Sequence, residues 1–126
     1  MTFCIGIKTK HGILGLSDTR ITSGNDTTTS KKVYTVNRRN HSFFIMTSGL
    51  RSVRDKAITY FGELIEKNDS TYDKLYKAVN GFADQVKRVA GEDKDSLEKS
   101  GFYFNLFSII GGQLEEDKEP KLYLLY

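Results

Sequence analysis

The hydrophobic repeat of this chain switches twice, and that order limits the architectures open to it. Up to Gly49, apolar residues recur at every second position or in short runs, as in strands. From Val53 they recur at helical spacing: Val53, Ala57, Phe61, Leu64 and Ile65, then Leu75, Ala78, Val79, Phe82, Val86 and Val89. From Phe102 the runs are strand-like again. Four strands, two helices and two strands predict an α+β fold with the helices on one face of a sheet.

Within that order, residues 3–9 predict a first strand, His11-Gly12 a hairpin turn and residues 13–17 the partner strand. Both strands mix Ile with Gly, and small residues suit close packing of a second layer. Residues 21–31 read as a polar loop, with Gly24-Asn25-Asp26 as its turn and the Thr/Ser run 27–30 as a solvated patch. Residues 33–36 and 42–47 predict two further strands around a turn at 37–40. Ser52 and Asn68 bound the first helix, and Ser70-Thr71-Tyr72-Asp73 resembles a capping box for the second. Residues 91–99 are expected as an exposed charged connector. A long strand is expected over 102–110, a turn at Gly111-Gly112 that carries the acidic run 115–119, and a last strand over 121–126. A sheet ending on Leu122, Leu124 and Leu125 has an edge to be covered by a partner chain or by further sequence.

At 126 residues the chain makes one domain, and 28% charged with 38% hydrophobic residues is a globular composition. The net charge of +3 is spread among acidic residues, with no basic and aromatic stripe, so nucleic acid is not an expected partner. A single Cys fits a reducing compartment. No apolar run reaches the ~20 residues of a membrane span, and no signal-peptide pattern opens the chain. A cytoplasmic protein that uses neither membrane nor cofactor is the expectation.

Thr2 stands directly behind Met1, and Thr is small enough for the Met to be removed. Thr2 would then carry a free α-amine, of pKa roughly 7.7–8.0, beside its own hydroxyl. Such an amine is the base that a weak hydroxyl nucleophile needs. Asp18 and Lys32 fall at the ends of neighbouring strands. An ammonium near Thr2 would favour the deprotonated hydroxyl, and a carboxylate partner would keep that ammonium charged. Lys31 is the alternative to Lys32, which lies immediately before the strand. Gly49 ends an apolar strand and could present its N–H to an oxyanion. A different chemistry, with Cys4 as nucleophile and His11 or His41 as base, is opposed by the position of Cys4 inside a predicted strand.

Thr2, Ser17-Asp18-Thr19-Arg20, Ser23-Gly24, Lys32 and Thr47-Ser48-Gly49 together resemble the front half of a proteasome β-type subunit. The pattern is most similar to bacterial proteasome-type proteases of the Anbu kind, which are N-terminal-nucleophile hydrolases. The likeness is strongest over residues 2–50. It implies a four-layer αββα sandwich, of which residues 1–126 supply the front part. It implies a threonine-type peptidase acting on polypeptides inside a homo-oligomeric ring or spiral, with no cofactor and an unspecified unfoldase. Thr2 would be nucleophile and base, Asp18 and Lys32 its electrostatic support, and the Gly49 N–H the oxyanion donor. Arg20 would brace the loop around Asp18, and Ile21, Thr47 and Arg51 would shape the first specificity pocket. The loop between Asp18 and Lys32 is one residue shorter than the family pattern. Family members are also longer, with later Ser and Asp residues that complete the site. A non-catalytic or truncated structural subunit of such an assembly is therefore the competing expectation.

Overall fold

The computed structural model describes residues 2–23, 25–30, 32–38 and 41–126. Its elements run β1 (Cys4–Thr9), β2 (Gly12–Ser17), β3 (Arg20–Ser23), β4 (Asp26–Thr29), β5 (Val33–Arg38), β6 (His41–Gly49), α1 (Arg51–Lys67), α2 (Leu75–Lys99), β7 (Leu106–Gln113) and β8 (Lys121–Leu125). A short 3-10 turn at Asp69–Thr71 joins the helices.

The centre is an antiparallel four-stranded sheet in the order β5-β6-β7-β8. β6 is its most buried strand, and its alternation divides the core. Phe43 and Ile45 face the helices, with Ile110 of β7 on the same side. Phe61 of α1 stands edge-on to both Phe43 (6.2 Å between centroids) and Phe82 of α2 (5.5 Å). These rings tie sheet and helix pair into one apolar layer, where edge-to-face contact adds to plain burial.

The other face of the sheet carries the β1–β2 hairpin. Close approach requires glycine here. A Cβ on Gly15 would stand 2.7 Å from the Phe44 ring, and one on Gly6 2.9 Å from Ile109. The described residues thus form three layers: helix pair, four-stranded sheet and hairpin. The mixed α+β architecture with both helices on one face is as expected from the order of hydrophobic periods.

Four local expectations are corrected. Residues 21–31 are not all loop: β3 and β4 pair from Arg20↔Thr29 to Ser23↔Asp26. The structure therefore has six strands before the helices rather than four. Residues 91–99 are helical rather than a connector, because Lys56 of α1 draws Glu92 (2.6 Å) and Asp93 (2.9 Å) against the helix pair. Gly111 and Gly112 lie inside β7, which starts at Leu106 rather than at Phe102. The Phe44 ring lies over Gly111, where a Cβ would come within 2.7 Å, so this glycine permits layer contact instead of a turn. Lastly, neither helix is capped at its N-terminus by the predicted side chain, although Asn68 does end α1, its Nδ2 donating to Leu64 O at 3.1 Å. α1 starts after Leu50 and α2 after Lys74, and neither makes a side-chain cap bond. The Leu75 N–H is met instead by Asp117 Oδ2 at 2.9 Å, from the turn after β7. Met1, Gly24, Lys31, Arg39 and Asn40 lie outside the described residues, and with them part of the turns expected at 24–26 and 37–40.

Candidate active site

Three chain segments meet at one end of the hairpin. Thr2 leads into β1, Asp18 follows β2, and Lys32 precedes β5. The β1–β2 ladder runs one pair past its last strand residues. The Asp18 N–H donates to Phe3 O at 3.1 Å, and the Phe3 N–H donates back to Asp18 Oδ1 at 3.1 Å. That reciprocal pair fixes the carboxylate beside the start of the chain.

Lys32 reaches into the same place. Its Nζ donates to Asp18 Oδ1 at 2.9 Å and to Thr2 Oγ1 at 3.3 Å. The Lys32 side chain is only 10% exposed, whereas that of Asp18 is 33% exposed. A nearly buried ammonium needs such a partner to remain charged. The Lys32 hydrogen bond, with the Phe3 N–H second, holds the Asp18 carboxyl below its ordinary pKa.

Beside these residues lies a cleft of about 250 Å³ lined by Thr2, Arg20, Ile21, Thr22, Ser30, Lys32, Thr47, Gly49, Leu50, Arg51 and Arg54. Of the residues named from the sequence, Thr2, Lys32, Gly49, Ile21, Thr47, Arg51 and Arg20 all line it, and Asp18 joins through Lys32. Arg20 lines the cleft without an ion pair to Asp18, whose cationic partner is Lys32.

Gly49 closes β6 with φ +130°, and a Cβ there would meet Asn105 O at 2.5 Å. Only glycine fits this position without displacing backbone. The next N–H, that of Leu50, donates to Asn105 O at 3.3 Å. The alternation of an antiparallel ladder therefore turns the Gly49 N–H off β7. On the other side the β5–β6 pairing stops at Val33↔Met46, so no β5 residue stands opposite Gly49.

Arg54, Thr22, Ser30 and Leu50 were not singled out in the sequence. Arg54 was findable, since it sits three residues after Arg51 on one helix face. The Cys4 alternative has no base at hand. His11 is in the turn at the far end of the hairpin, and His41 begins β6 at the end opposite Gly49. Among the described residues no cluster of His, Cys, Asp or Glu could hold a metal ion. Among the described residues no helix is long and apolar enough to cross a membrane.

The layered architecture is a proteasome-like fold. In particular, the chain superposes on subunits of Anbu. It matches an Anbu Gly-1 mutant from Hyphomicrobium sp. strain MC1 with a TM-score of 0.85 at 21% identity. It matches Anbu, described as an ancestral β-subunit, from Yersinia bercovieri with a TM-score of 0.82 at 17% identity. It matches the Anbu complex from Pseudomonas aeruginosa, a helical assembly, with a TM-score of 0.86 at 19% identity. Each match covers 100% of this chain and 53%, 52% and 53% of those chains respectively, so the chain spans about half their length. No protein-family model matches the chain, and no curated protein matches it in sequence.

Proposed function

We propose that this chain carries the catalytic front of a threonine-type peptidase, with Thr2 as nucleophile once Met1 has been removed. The observation that supports it is the double hydrogen bond of Lys32 to Thr2 Oγ1 and Asp18 Oδ1. A structural ion pair has no need of a hydroxyl from the first residues of the chain. In the proposed reaction the Thr2 α-amine takes the hydroxyl proton and Oγ attacks the carbonyl carbon of a peptide bond. The Lys32 ammonium stabilises negative charge on Oγ, and Asp18 is its counter-ion at 2.9 Å. The Gly49 N–H receives the oxyanion. The α-ammonium returns its proton to the leaving amine, and water then hydrolyses the acyl ester on Thr2.

Polypeptide substrates, a homo-oligomeric assembly and a cytoplasmic setting belong to the same proposal, supported by the fold shared with Anbu subunits. The competing reading is a non-catalytic structural subunit of such an assembly, which shares the same fold. Intact mass and a Thr-directed peptide epoxyketone separate the two. The peptidase reading expects loss of Met1 and a single adduct at Thr2. Retention of Met1, or equal labelling of Thr2→Ala, supports the structural subunit.

A further inference from the structure

The cleft beside Thr2 is lined by four cations, Arg20, Lys32, Arg51 and Arg54. Two carboxylates answer them. Asp18 pairs with Lys32 at 2.9 Å, and Asp55 is shared between Arg54 (2.7 Å) and Arg51 (3.5 Å). Arg20 makes no ion pair among the described residues. Arg54 is held down on the first turns of α1, with a side chain only 22% exposed, and its Nε is buried without a hydrogen-bond partner. A buried donor left unpaired is costly, and a guanidinium fork is shaped to meet a carboxylate. The first turn of α1 carries no acidic residue, so among the described residues Asp55 is the one carboxylate set against both Arg51 and Arg54. The remaining walls, Ile21, Thr47 and Leu50, are suited to the methylene stem of a side chain. About 250 Å³ lies below the ~300–1,000 Å³ of sites for drug-sized molecules, so the space fits one residue rather than a long segment.

From this excess of cations over carboxylates we infer that the cleft selects an acidic side chain, Asp or Glu, on the residue preceding the bond to be cut. The inference rests on the peptidase reading for its chemistry, while the carboxylate site itself rests on Arg20 and Arg54. The guanidinium of Arg54, steadied by Asp55 at 2.7 Å, supplies positive charge at one wall of the cleft, and Arg20 supplies it from the β3 side.

Two measurements on the full chain, freed of Met1, test this separately from the hydrolase reading. The first compares labelling rates of Thr2 by N-acetyl tripeptide epoxyketones ending in Glu, Leu or Arg. The Glu reagent is expected to be faster than the Leu reagent by about tenfold or more, the scale of one charge-assisted hydrogen bond. Arg54→Gln and Arg20→Gln should each erode that preference, Arg54→Lys should restore part of it, and added salt should weaken it. The second measures equilibrium binding of N-acetyl-Ala-Ala-Glu amide and its Leu counterpart to Thr2→Ala. Tighter binding of the Glu peptide without any labelling of Thr2 retains the carboxylate site and removes the hydrolase reading. Equal labelling by the Glu and Leu reagents, or equal binding of the two peptides, overturns the acidic preference and leaves the hydrolase reading to its own test.

Discussion

Lys32 Nζ lies 2.9 Å from Asp18 Oδ1, the same oxygen that accepts the Phe3 N–H. The ammonium that touches the Thr2 hydroxyl is thus anchored to the backbone of the adjacent residue. Removing Lys32 takes away a charge held for the hydroxyl. Removing Asp18 leaves a nearly buried ammonium without its counter-ion. Lys32→Ala should cut Thr2 labelling roughly 100-fold or more, the scale of losing one preorganised charge stabiliser, while the far-UV spectrum and thermal transition stay close to wild type. Asp18→Ala should lose labelling and also lower the melting temperature. Lys31→Ala should be near silent in both assays. If Lys31→Ala abolishes labelling and Lys32→Ala does not, the roles assigned to the two lysines are reversed.

The depressed pKa of Asp18 gives a sign for the acid limb. Its folded-state pKa lies below the unfolded value, so the unfolded chain binds the extra proton first as pH falls. The stabilisation it contributes is fully present above the ordinary Asp pKa of about 3.9 and is lost as pH drops through the lower folded value. Thermal melts from pH 6 down to strongly acid values, on the order of pH 2, should show a steeper loss for wild type than for Asp18→Asn. Parallel curves for the two proteins would show that this pair contributes nothing to the acid limb.

Asp117 Oδ2 accepts from both the Leu75 N–H and the Leu114 N–H, each at 2.9 Å. One carboxylate therefore caps α2 and closes the turn after β7. Asp117→Ala should cost about 1–2 kcal/mol by urea unfolding, the range of a lost helix cap. Asp117→Asn, which keeps an acceptor oxygen, should recover much of it. A loss no greater than that of an exposed substitution such as Glu116→Ala would remove the cap from the account.

The last strand was expected to leave an apolar edge for a partner chain or further sequence to cover. The apolar faces of the helices are turned to the core, and the exposure lies on the last strand and on the β1–β2 hairpin. Leu14 and Leu16 of β2 are each 59% exposed on the outer face of the hairpin, and Leu124 of β8 is 64% exposed. Clustered apolar exposure of this kind marks a surface to be covered. Light scattering at micromolar concentration should report a species larger than a monomer, and Leu14→Glu with Leu16→Glu should reduce it. A monomer in both proteins would rule out self-association through this face.

Much of the fold was legible in the sequence because burial imposes a period. Phe43 and Ile45 alternate in β6, and Val53, Ala57, Phe61 and Ile65 recur on one face of α1. The cluster at the start of the chain was legible too, since Thr2, Asp18 and Lys32 each stand at the edge of a predicted strand. What the sequence could not disclose rests on contacts between distant residues. The β3–β4 hairpin is held by backbone pairing among exposed Thr residues of β4, so it leaves no apolar period to read. The last turns of α2 look like a charged linker until Lys56 of α1 is seen to hold Glu92 and Asp93. Gly111 reads as a turn until the Phe44 ring is seen over it. The sequence by itself thus determined the order of the apolar strands and the two helices and which groups could serve as nucleophile, carboxylate and ammonium. Only the tertiary structure brought the Lys32 ammonium to the Thr2 hydroxyl and set Arg20 and Arg54 around one cleft. Periodicity records burial along a segment, whereas hydrogen bonds and ion pairs depend on the distance between residues far apart in the chain.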